Sequence, residues 1–327
     1  MNKLTIGNIK FCSNIFLAPM AGTTDLPLRL LAKEGGAGLV YTEMVSAKAL
    51  VYHDEKTRSL LRIRDQERPV AAQIFGGEVS SMSEAARIVQ DIGVDIIDIN
   101  LGCPVRKVAK AGAGARLLAN EHLVAKILES VVDNVNIPVT IKIRIGLLPG
   151  QNVAKEIIHI AHNSGIKMVV VHARYASLGH SGKPDLEAFA ESCSDAKIPI
   201  IANGGIVDEK TAQEFMKIPN CSGLMVGRGA IGNYSIFKRL ESFIAYGKTL
   251  PKAGKEEKVQ WLRKHVQYSI DNYGIKKGLV VFRKVAHYYI KDFPNASKIR
   301  CMINTMSNLD DFNTMLKTLE ALLYRED

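Results

Sequence analysis

The stretches VTIKI at 139–143, MVVVHA at 168–173 and IPIIA at 198–202 are almost continuously apolar. A strand with one face in water alternates apolar and polar residues, whereas a strand covered on both faces does not. These three stretches therefore predict parallel strands that are buried between two apolar layers.

Five further apolar runs share this character, and amphipathic stretches such as EHLVAKILESVVDN at 121–134 separate them. The eight predicted strands are 15–20, 39–43, 70–75, 95–101, 139–145, 168–173, 198–202 and 223–227. Eight strands with intervening helices predict an α/β fold, a (β/α)8 TIM barrel over residues 1–245. A doubly wound sheet is the alternative, but GAGAR at 112–116 fails the GxGxxG pattern at Leu117.

The polar segment YGKTLPKAGKEEK at 246–258, which contains Gly and Pro, ends the alternation of strands and helices and is predicted to be a linker. Four helical patterns follow, at 259–273, 276–293, 295–304 and 309–323, so residues 246–327 are predicted to form a small all-α domain. Residues 248–300 hold 13 Lys and Arg against 4 Asp and Glu, whereas the other residues hold 30 against 29. This surplus indicates either a polyanionic partner or a solvated helical face.

The first residues, MNKLTIGNIKFCSN, lack the apolar run of a signal peptide, and no stretch approaches the length of a membrane span. A soluble cytoplasmic protein with no membrane association is expected. The five cysteines are odd in number and far apart, which predicts neither disulfides nor a metal clip. His159 and His162 have no acidic or cysteine companions at suitable spacing, so no metal is expected.

Polar residues follow most of the predicted strands, at the end where TIM barrels carry their active sites. Strands 7 and 8 are followed by Asn203-Gly204-Gly205 and Gly227-Arg228-Gly229. Glycine lets the backbone N–H groups approach a ligand closely, and Arg228 adds a positive charge. Two such segments on adjacent strands predict a phosphate site.

Charged residues also lie within two strands. Lys142 and Arg144 alternate to the same side of strand 5, and His172 and Arg174 repeat the arrangement on strand 6. Charges pointing into an apolar barrel need an anionic ligand or partner. Lys142 fits the negative charge of a reduced flavin.

The segment IDINLGCPVRKV at 97–108 places Cys103 after a strand that ends at Asn100. Gly102 permits a sharp turn and Pro104 fixes the chain, so the thiol is predicted to face the barrel mouth. Neither an adjacent base nor a metal set is evident, which leaves general acid as the role, since an ordinary thiol is mostly protonated at neutral pH.

The ordered set APMAGTTD, QIFGG, DINLGCPVRKV, KIR, HAR, NGGI and GRGAIGN, together with FRKVAHYYIKDFPNASKIRCMIN at 282–304, resembles the bacterial tRNA-dihydrouridine synthases. The resemblance covers nearly the whole chain. It implies a barrel that holds FMN, reduced by NADPH, and a helical domain that binds tRNA. Hydride then passes from flavin N5 to uracil C6, and Cys103 protonates C5.

The resemblance also implies the binding residues. The flavin is expected to contact Pro19, Met20, Ala21, Gln73, Lys142 and His172, and its phosphate Asn203, Gly204, Gly205, Gly227 and Arg228. Asn100 is expected near the uracil, with Arg144 and Arg174 beside the substrate. The charge surplus at 248–300, rather than the resemblance, supplies the candidate RNA-phosphate contacts Lys264, Lys276, Lys277, Arg283, Lys284 and Lys291. For Tyr288 and Tyr289, stacking on bases and packing in the helical core are both open, and the core is favoured. The target uridine must be extruded or unpaired to reach the mouth.

Two segments depart from the family pattern. HARYASLGHSG at 172–182 replaces HxRTRxQxYxG, and Gly205 stands where an Asp is commoner. Because of the first change, the position of the modified uridine stays open, and so does the choice between tRNA and ribosomal RNA. Two other functions remain: an FMN-dependent dehydrogenase of dihydroorotate or a small pyrimidine, and an RNA-binding barrel without catalysis. A monomer is expected, although the sequence does not fix the oligomeric state.

Overall fold

Nine strands form a single parallel sheet in the computed structural model, which describes residues 3–323. The strands are β3 (Ile15–Leu17), β4 (Val40–Tyr41), β5 (Val45–Ser46), β6 (Val70–Phe75), β7 (Ile96–Leu101), β8 (Val139–Gly146), β9 (Val169–Tyr175), β10 (Ile200–Asn203) and β11 (Cys221–Val226). Their order is β3-β11-β10-β9-β8-β7-β6-β4, and β5 continues the line of β4 along β6. Backbone hydrogen bonds from Leu17 to Leu39 and from Gly38 to Ile15, both 2.9 Å, join β3 to the strand-2 segment, so the predicted barrel is confirmed.

Helices cover the outside of this barrel. They are α1 (Leu26–Glu34), α2 (Ala47–Val51), α3 (Glu55–Ser59), α4 (Val79–Asp91), α5 (Arg106–Lys110), α6 (Glu121–Asp133), α7 (Ala154–Asn163), α8 (Leu186–Cys193), α9 (Glu209–Met216) and α10 (Ile236–Tyr246). Short 3-10 turns cover 65–67, 114–119, 176–178 and 228–230. Each predicted strand is present, and the second is interrupted at 42–44.

The apolar runs arise because the strands are buried on both faces. Phe16, Val170 and Met225 belong to a core inside the barrel, whereas their neighbours Ile15 and Val171 belong to the core between sheet and helices. A short hairpin, β1 (Thr5–Ile6) and β2 (Ile9–Lys10), was not predicted from the sequence. It contributes apolar side chains to the inner core and so closes the barrel end opposite the strand C-termini.

The C-terminal part is helical, as predicted. Its helices are α11 (Lys255–Tyr273), α12 (Ile275–Ile290), α13 (Ala296–Thr305) and α14 (Leu309–Ala321). Gly247, at φ 65°, ends α10, and the linker 247–254 leads into α11. Among residues 3–323, no helix is long and apolar enough to cross a membrane.

A buried polar cluster joins the helical part to the barrel. The hydroxyls of Tyr234, which precedes α10, and Tyr289, on α12, lie 2.8 Å apart, and His265 Nδ1 on α11 lies 2.6 Å from the Tyr289 hydroxyl. Tyr289 therefore belongs to the core, as expected, and Tyr288 is half-buried. Burial lowers the pKa of His265 to about 3, so this imidazole is neutral when folded.

This neutral histidine makes stability depend on pH. The pKa of His265 lies near 6.5 when unfolded and about 3 when folded, so the unfolded chain binds more protons between these values. The histidine's contribution is complete above pH 6.5 and is lost as the pH falls towards 3, at up to about 1.4 kcal/mol per pH unit. Urea unfolding at pH 7 and pH 5 should show a larger loss at pH 5 for the wild type than for His265→Gln.

The matched control is His122→Gln, which removes an exposed histidine of α6 and should keep the wild-type slope. Burial raises the pKa values of Asp25 and Asp98 to about 6, so these two groups increase the free energy of unfolding as the pH falls. Because they are present in all three proteins, they do not affect the comparison. Equal slopes for the wild type and His265→Gln would contradict the assignment.

Candidate active site at the barrel mouth

A hydrogen-bonded chain crosses the barrel interior from Thr140, near the start of β8, and Asp98, in the middle of β7, to Gln73 on β6 and Asn100 near the end of β7. Asp98 accepts from the Thr140 hydroxyl at 2.6 Å and from Gln73 Nε2 at 2.7 Å. Gln73 Oε1 in turn accepts from Asn100 Nδ2 at 2.8 Å. Both amide side chains are thereby held in one orientation.

Asn100 also fixes the turn that carries Cys103. Its Oδ1 accepts from the backbone N–H groups of Gly102, at 3.2 Å, and Cys103, at 2.9 Å. The Cys103 carbonyl accepts from Ala115 at 3.0 Å. The half-buried thiol is therefore held at the mouth of the barrel, directly after β7.

Burial and charge act together on Asp98 and Lys142. Burial raises the pKa of Asp98 to about 6, against the hydrogen bonds from Gln73 and Thr140 and the charge of Lys142. Burial, followed by the charge of Arg144, lowers the pKa of Lys142 to about 7, while Asp98 and Cys103 act in the opposite sense. Lys142 pairs in register with Asn100, and within residues 3–323 its side chain has no hydrogen-bond or ion-pair partner. It is therefore a cation available to an anionic group.

Arg144 and Arg174 hold the surrounding loops. Arg144 is 2% exposed, and it donates to the carbonyls of Gly102 at 2.8 Å and Gly179 at 2.8 Å. Arg174 donates to the carbonyl of Gly182 at 3.0 Å. Most N–H groups of the two arginines thus fix the Cys103 turn and the loop 175–182. A contact between the remaining N–H groups and the substrate stays a prediction.

His172 lies in this cationic setting as a neutral ring. Burial, followed by the charges of Lys142 and Arg144, holds the pKa of His172 well below its usual range. Its Nε2 lies 3.2 Å from Arg174 Nη1, and because arginine only donates, this nitrogen accepts. The exposed ring of His180, in the atypical loop, stacks on His172 at 6.0 Å between centroids.

The two glycines after β10 both have positive φ values. Gly204 and Gly205 have φ values of 120° and 71°, which favour glycine. A Cβ at Gly204 would lie 2.8 Å from His172 Cδ2, so the backbone and the ring are in close contact. Arg228 is exposed nearby on the adjacent loop, whereas Asn203 Nδ2 donates to the Met225 carbonyl at 2.8 Å and so joins two strands. This arrangement fits a phosphate group.

The loop 19–25 after β3 completes the mouth. Met20 N donates to the Thr24 hydroxyl at 2.9 Å, and the Gly22 N–H donates to the buried Glu43 carboxylate. Met20 also lies beside β11, since its sulfur would be 3.6 Å from a Cβ placed at Gly227. Met20, between Pro19 and Ala21, therefore lies beside Gly227, one of the residues to which the expected flavin phosphate was assigned.

The basic residues of the helical part divide into two groups. The exposed residues on or just after α12 are Lys276, Lys277, Lys284 and Lys291, and we call them the basic face. Lys264 instead pairs with Glu34 of α1 at 2.5 Å, and Arg283 donates to the Met306 carbonyl. Both have structural contacts that the charge pattern alone did not reveal.

Sequence reasoning missed three site residues, namely Asp98, Glu43 and Asp25. Each is an acid in or beside a buried segment, and an acid within the apolar run IIDIN was the signal available for Asp98. Among the described residues, no group of three or more His, Cys, Asp or Glu side chains could hold a metal ion.

Comparisons with known proteins identify the family to which the chain belongs. The dihydrouridine synthase family matches residues 16–324. A probable tRNA-dihydrouridine synthase of Rickettsia bellii is 37% identical, over 93% of this chain and 94% of that protein. The tRNA-dihydrouridine synthase B of Proteus vulgaris is 35% identical, over 97% and 98% of the two chains. The chain belongs to the dihydrouridine synthase family.

Solved structures support the fold. Histamine dehydrogenase from Rhizobium sp. 4-9 aligns with a TM-score of 0.58 at 12% identity, over 73% of this chain and 47% of that one. The old yellow enzyme homologue of Zymomonas mobilis aligns with a TM-score of 0.54 at 14% identity, over 79% and 95%. Both confirm the barrel architecture.

The contact between Gly204 and His172 predicts a specific cost for a side chain at position 204. Gly204→Ala introduces a methyl group at positive φ and against His172, whereas Gly247→Ala, also at positive φ, has nothing within 4 Å. The control should lower the free energy of unfolding by about 1 kcal/mol. Gly204→Ala should lower it by about 1 to 3 kcal/mol more in urea unfolding. Equal losses would show that the loop and His172 are not in close contact.

Proposed function

We propose that the protein reduces uridines of tRNA to 5,6-dihydrouridine, with FMN bound in the barrel mouth and NADPH as the reductant. The observation that carries this proposal is the Cys103 thiol, fixed by Asn100 beside the unpaired cation Lys142. We assign the chemistry to residues 1–245 and RNA binding to residues 246–327. The cytoplasm is the compartment that fits this substrate.

The residues of the mouth fit FMN. The glycine loop after β10 and Arg228 suit its phosphate, and Lys142 suits the ring edge that becomes negative on reduction. Pro19, Met20 and Ala21 would line the flavin, and Gln73 and His172 would contact it. The chemistry that FMN supplies when bound is hydride transfer to uracil C6, after its own reduction by NADPH.

Cys103 completes the reduction. Its S–H donates a proton to C5, so that a hydride and a proton together saturate the C5–C6 bond of the uracil. Solvent then returns a proton to the sulfur, which lies near the cationic side chains of Lys142 and Arg144. We assign the orientation of the uracil to Asn100, because Gln73 holds its side chain and it bonds the backbone of Cys103.

The RNA needs a second surface because a base within a folded RNA cannot reach the barrel mouth. The target uridine must be unpaired or extruded, and we assign the binding of the surrounding phosphates to the exposed lysines of the basic face. An enzyme for a free pyrimidine has no use for such a face. Relatives that are named for tRNA favour tRNA over ribosomal RNA.

Replacing the thiol separates chemistry from binding. Cys103→Ala should keep the FMN spectrum and bind tRNA within about twofold of the wild type, but lose at least about 100-fold in dihydrouridine formation, since general acids contribute this much. Mass spectrometry of unmodified tRNA after incubation with holoenzyme and NADPH measures the product. The matched control, Cys12→Ala, removes an exposed thiol and should behave as the wild type.

Three results would count against the proposal. Wild-type turnover by Cys103→Ala would remove the acid role. Product in ribosomal RNA but not in tRNA would reassign the substrate, and a wild-type protein that purifies without flavin would favour an RNA-binding barrel without catalysis.

The pKa of Lys142 gives a separate test of flavin binding. Riboflavin lacks the phosphate, so its affinity reports the contacts of the ring and the ribityl chain without those of the phosphate site. Because the pKa of Lys142 is about 7, this cation is lost as the pH rises through 7, and riboflavin should bind more weakly at pH 8 than at pH 6. Lys142→Met should bind weakly at both, whereas Lys276→Met, which removes an exposed lysine, should keep the wild-type trend. A wild-type trend in Lys142→Met would refute the contact.

A further inference from the structure

Helix α11 of the helical part packs along α1 of the barrel, and two tyrosines connect them. Tyr273, at the C-terminal end of α11, donates its hydroxyl to Asp25 Oδ2 at 3.1 Å. Tyr268, one turn earlier, donates to Glu34 Oε1 at 2.5 Å. The two bonds are similar in kind, but they reach opposite ends of α1.

The end that Tyr273 reaches is the loop 19–25. Asp25 is the last residue of this loop, and its Oδ1 caps α1 by accepting from Leu28 N at 3.2 Å. The preceding residue is held too, since Arg29 Nη1 donates to the Thr24 carbonyl at 2.9 Å. Asp25 is therefore fixed by a residue of its own helix and by one residue of the helical part.

Side-chain contacts connect the same loop to the Cys103 turn. The Gly22 N–H donates to Glu43, which lies in the interruption of the second strand, at 42–44. The next residue, Met44, has its sulfur 3.7 Å from Asn100 Nδ2, and Asn100 holds Cys103. A displacement of the loop 19–25 would therefore act on both the flavin side and the thiol side of the mouth.

Tyr273 also contacts the basic face. Lys277 Nζ lies 5.2 Å from the centroid of the Tyr273 ring, within the range of a cation–π interaction. Lys277 is exposed at the start of α12. One side chain thus lies between the proposed RNA surface and a loop of the catalytic mouth.

We propose that Tyr273 and Asp25 are a positioning pair, through which the helical part holds the loop 19–25 in its catalytic position. The inference rests on the proposed function for the roles of the loop and of the basic face. The helical part then does more than bind RNA: its hydroxyl group helps to set the geometry in which the uracil meets the flavin and Cys103. Neither residue touches the reacting atoms.

The two tyrosines provide a matched pair of variants. In holoenzyme carrying FMN, Tyr273→Phe should lower kcat for dihydrouridine formation about tenfold, as expected for the loss of a hydrogen bond to a charged group. Its KM for unmodified tRNA should stay within about twofold, and the visible circular dichroism of the bound FMN should change because the loop lines the flavin. Tyr268→Phe should leave kcat, KM and the FMN signal unchanged.

The outcomes separate this inference from the proposed function. If the wild type forms no dihydrouridine, the proposed function fails. If the wild type is active and Tyr273→Phe matches it, or if both variants lose kcat equally, only the positioning role fails. If Tyr273→Phe loses FMN and Tyr268→Phe keeps it, the positioning role is supported. Asp25→Asn, which keeps a capping side chain, gives the answer if Tyr273→Phe does not fold: reduced kcat with unchanged KM supports the pair, and wild-type kcat overturns it.

Discussion

The carboxylate of Asp98, buried inside an apolar barrel, is the constraint on which the arrangement of the mouth depends. A buried charge must be hydrogen-bonded, and here Thr140 and Gln73 satisfy it. Gln73 is thereby turned so that its oxygen accepts from Asn100, and Asn100 in turn fixes the backbone of Cys103. Orientation is thus passed from the interior of the barrel to the thiol by hydrogen bonds alone.

The barrel could be predicted from the sequence because its strands are buried on both faces. Phe16 faces the interior while Ile15 faces the helices, so the run of apolar residues is unbroken. The hairpin β1–β2 was missed because two-residue strands carry no periodic pattern. Helices α12 to α14 were predicted from a clear amphipathic period, and α11 from a weaker one.

Less of the site could be predicted, because much of it consists of pairings across long stretches of chain. Cys103 and Lys142 were identified from local spacing and strand alternation. The bond from Tyr273 to Asp25 joins residues 248 positions apart, and no local pattern indicates it. Charge counting likewise found the basic face but could not show that Lys264 is engaged with Glu34. Sequence therefore identifies which groups are available, and the fold determines which of them are already paired.

The central claim is that the mouth transfers reducing equivalents from a bound flavin to a uridine of tRNA. Its most direct test is a single turnover without oxygen or NADPH, in which reduced holoenzyme is mixed with unmodified tRNA while the flavin absorbance and the dihydrouridine content are followed. We expect one dihydrouridine for each flavin that returns to the oxidised spectrum. A flavin that stays reduced in the presence of tRNA, or is oxidised without forming dihydrouridine, would contradict the account.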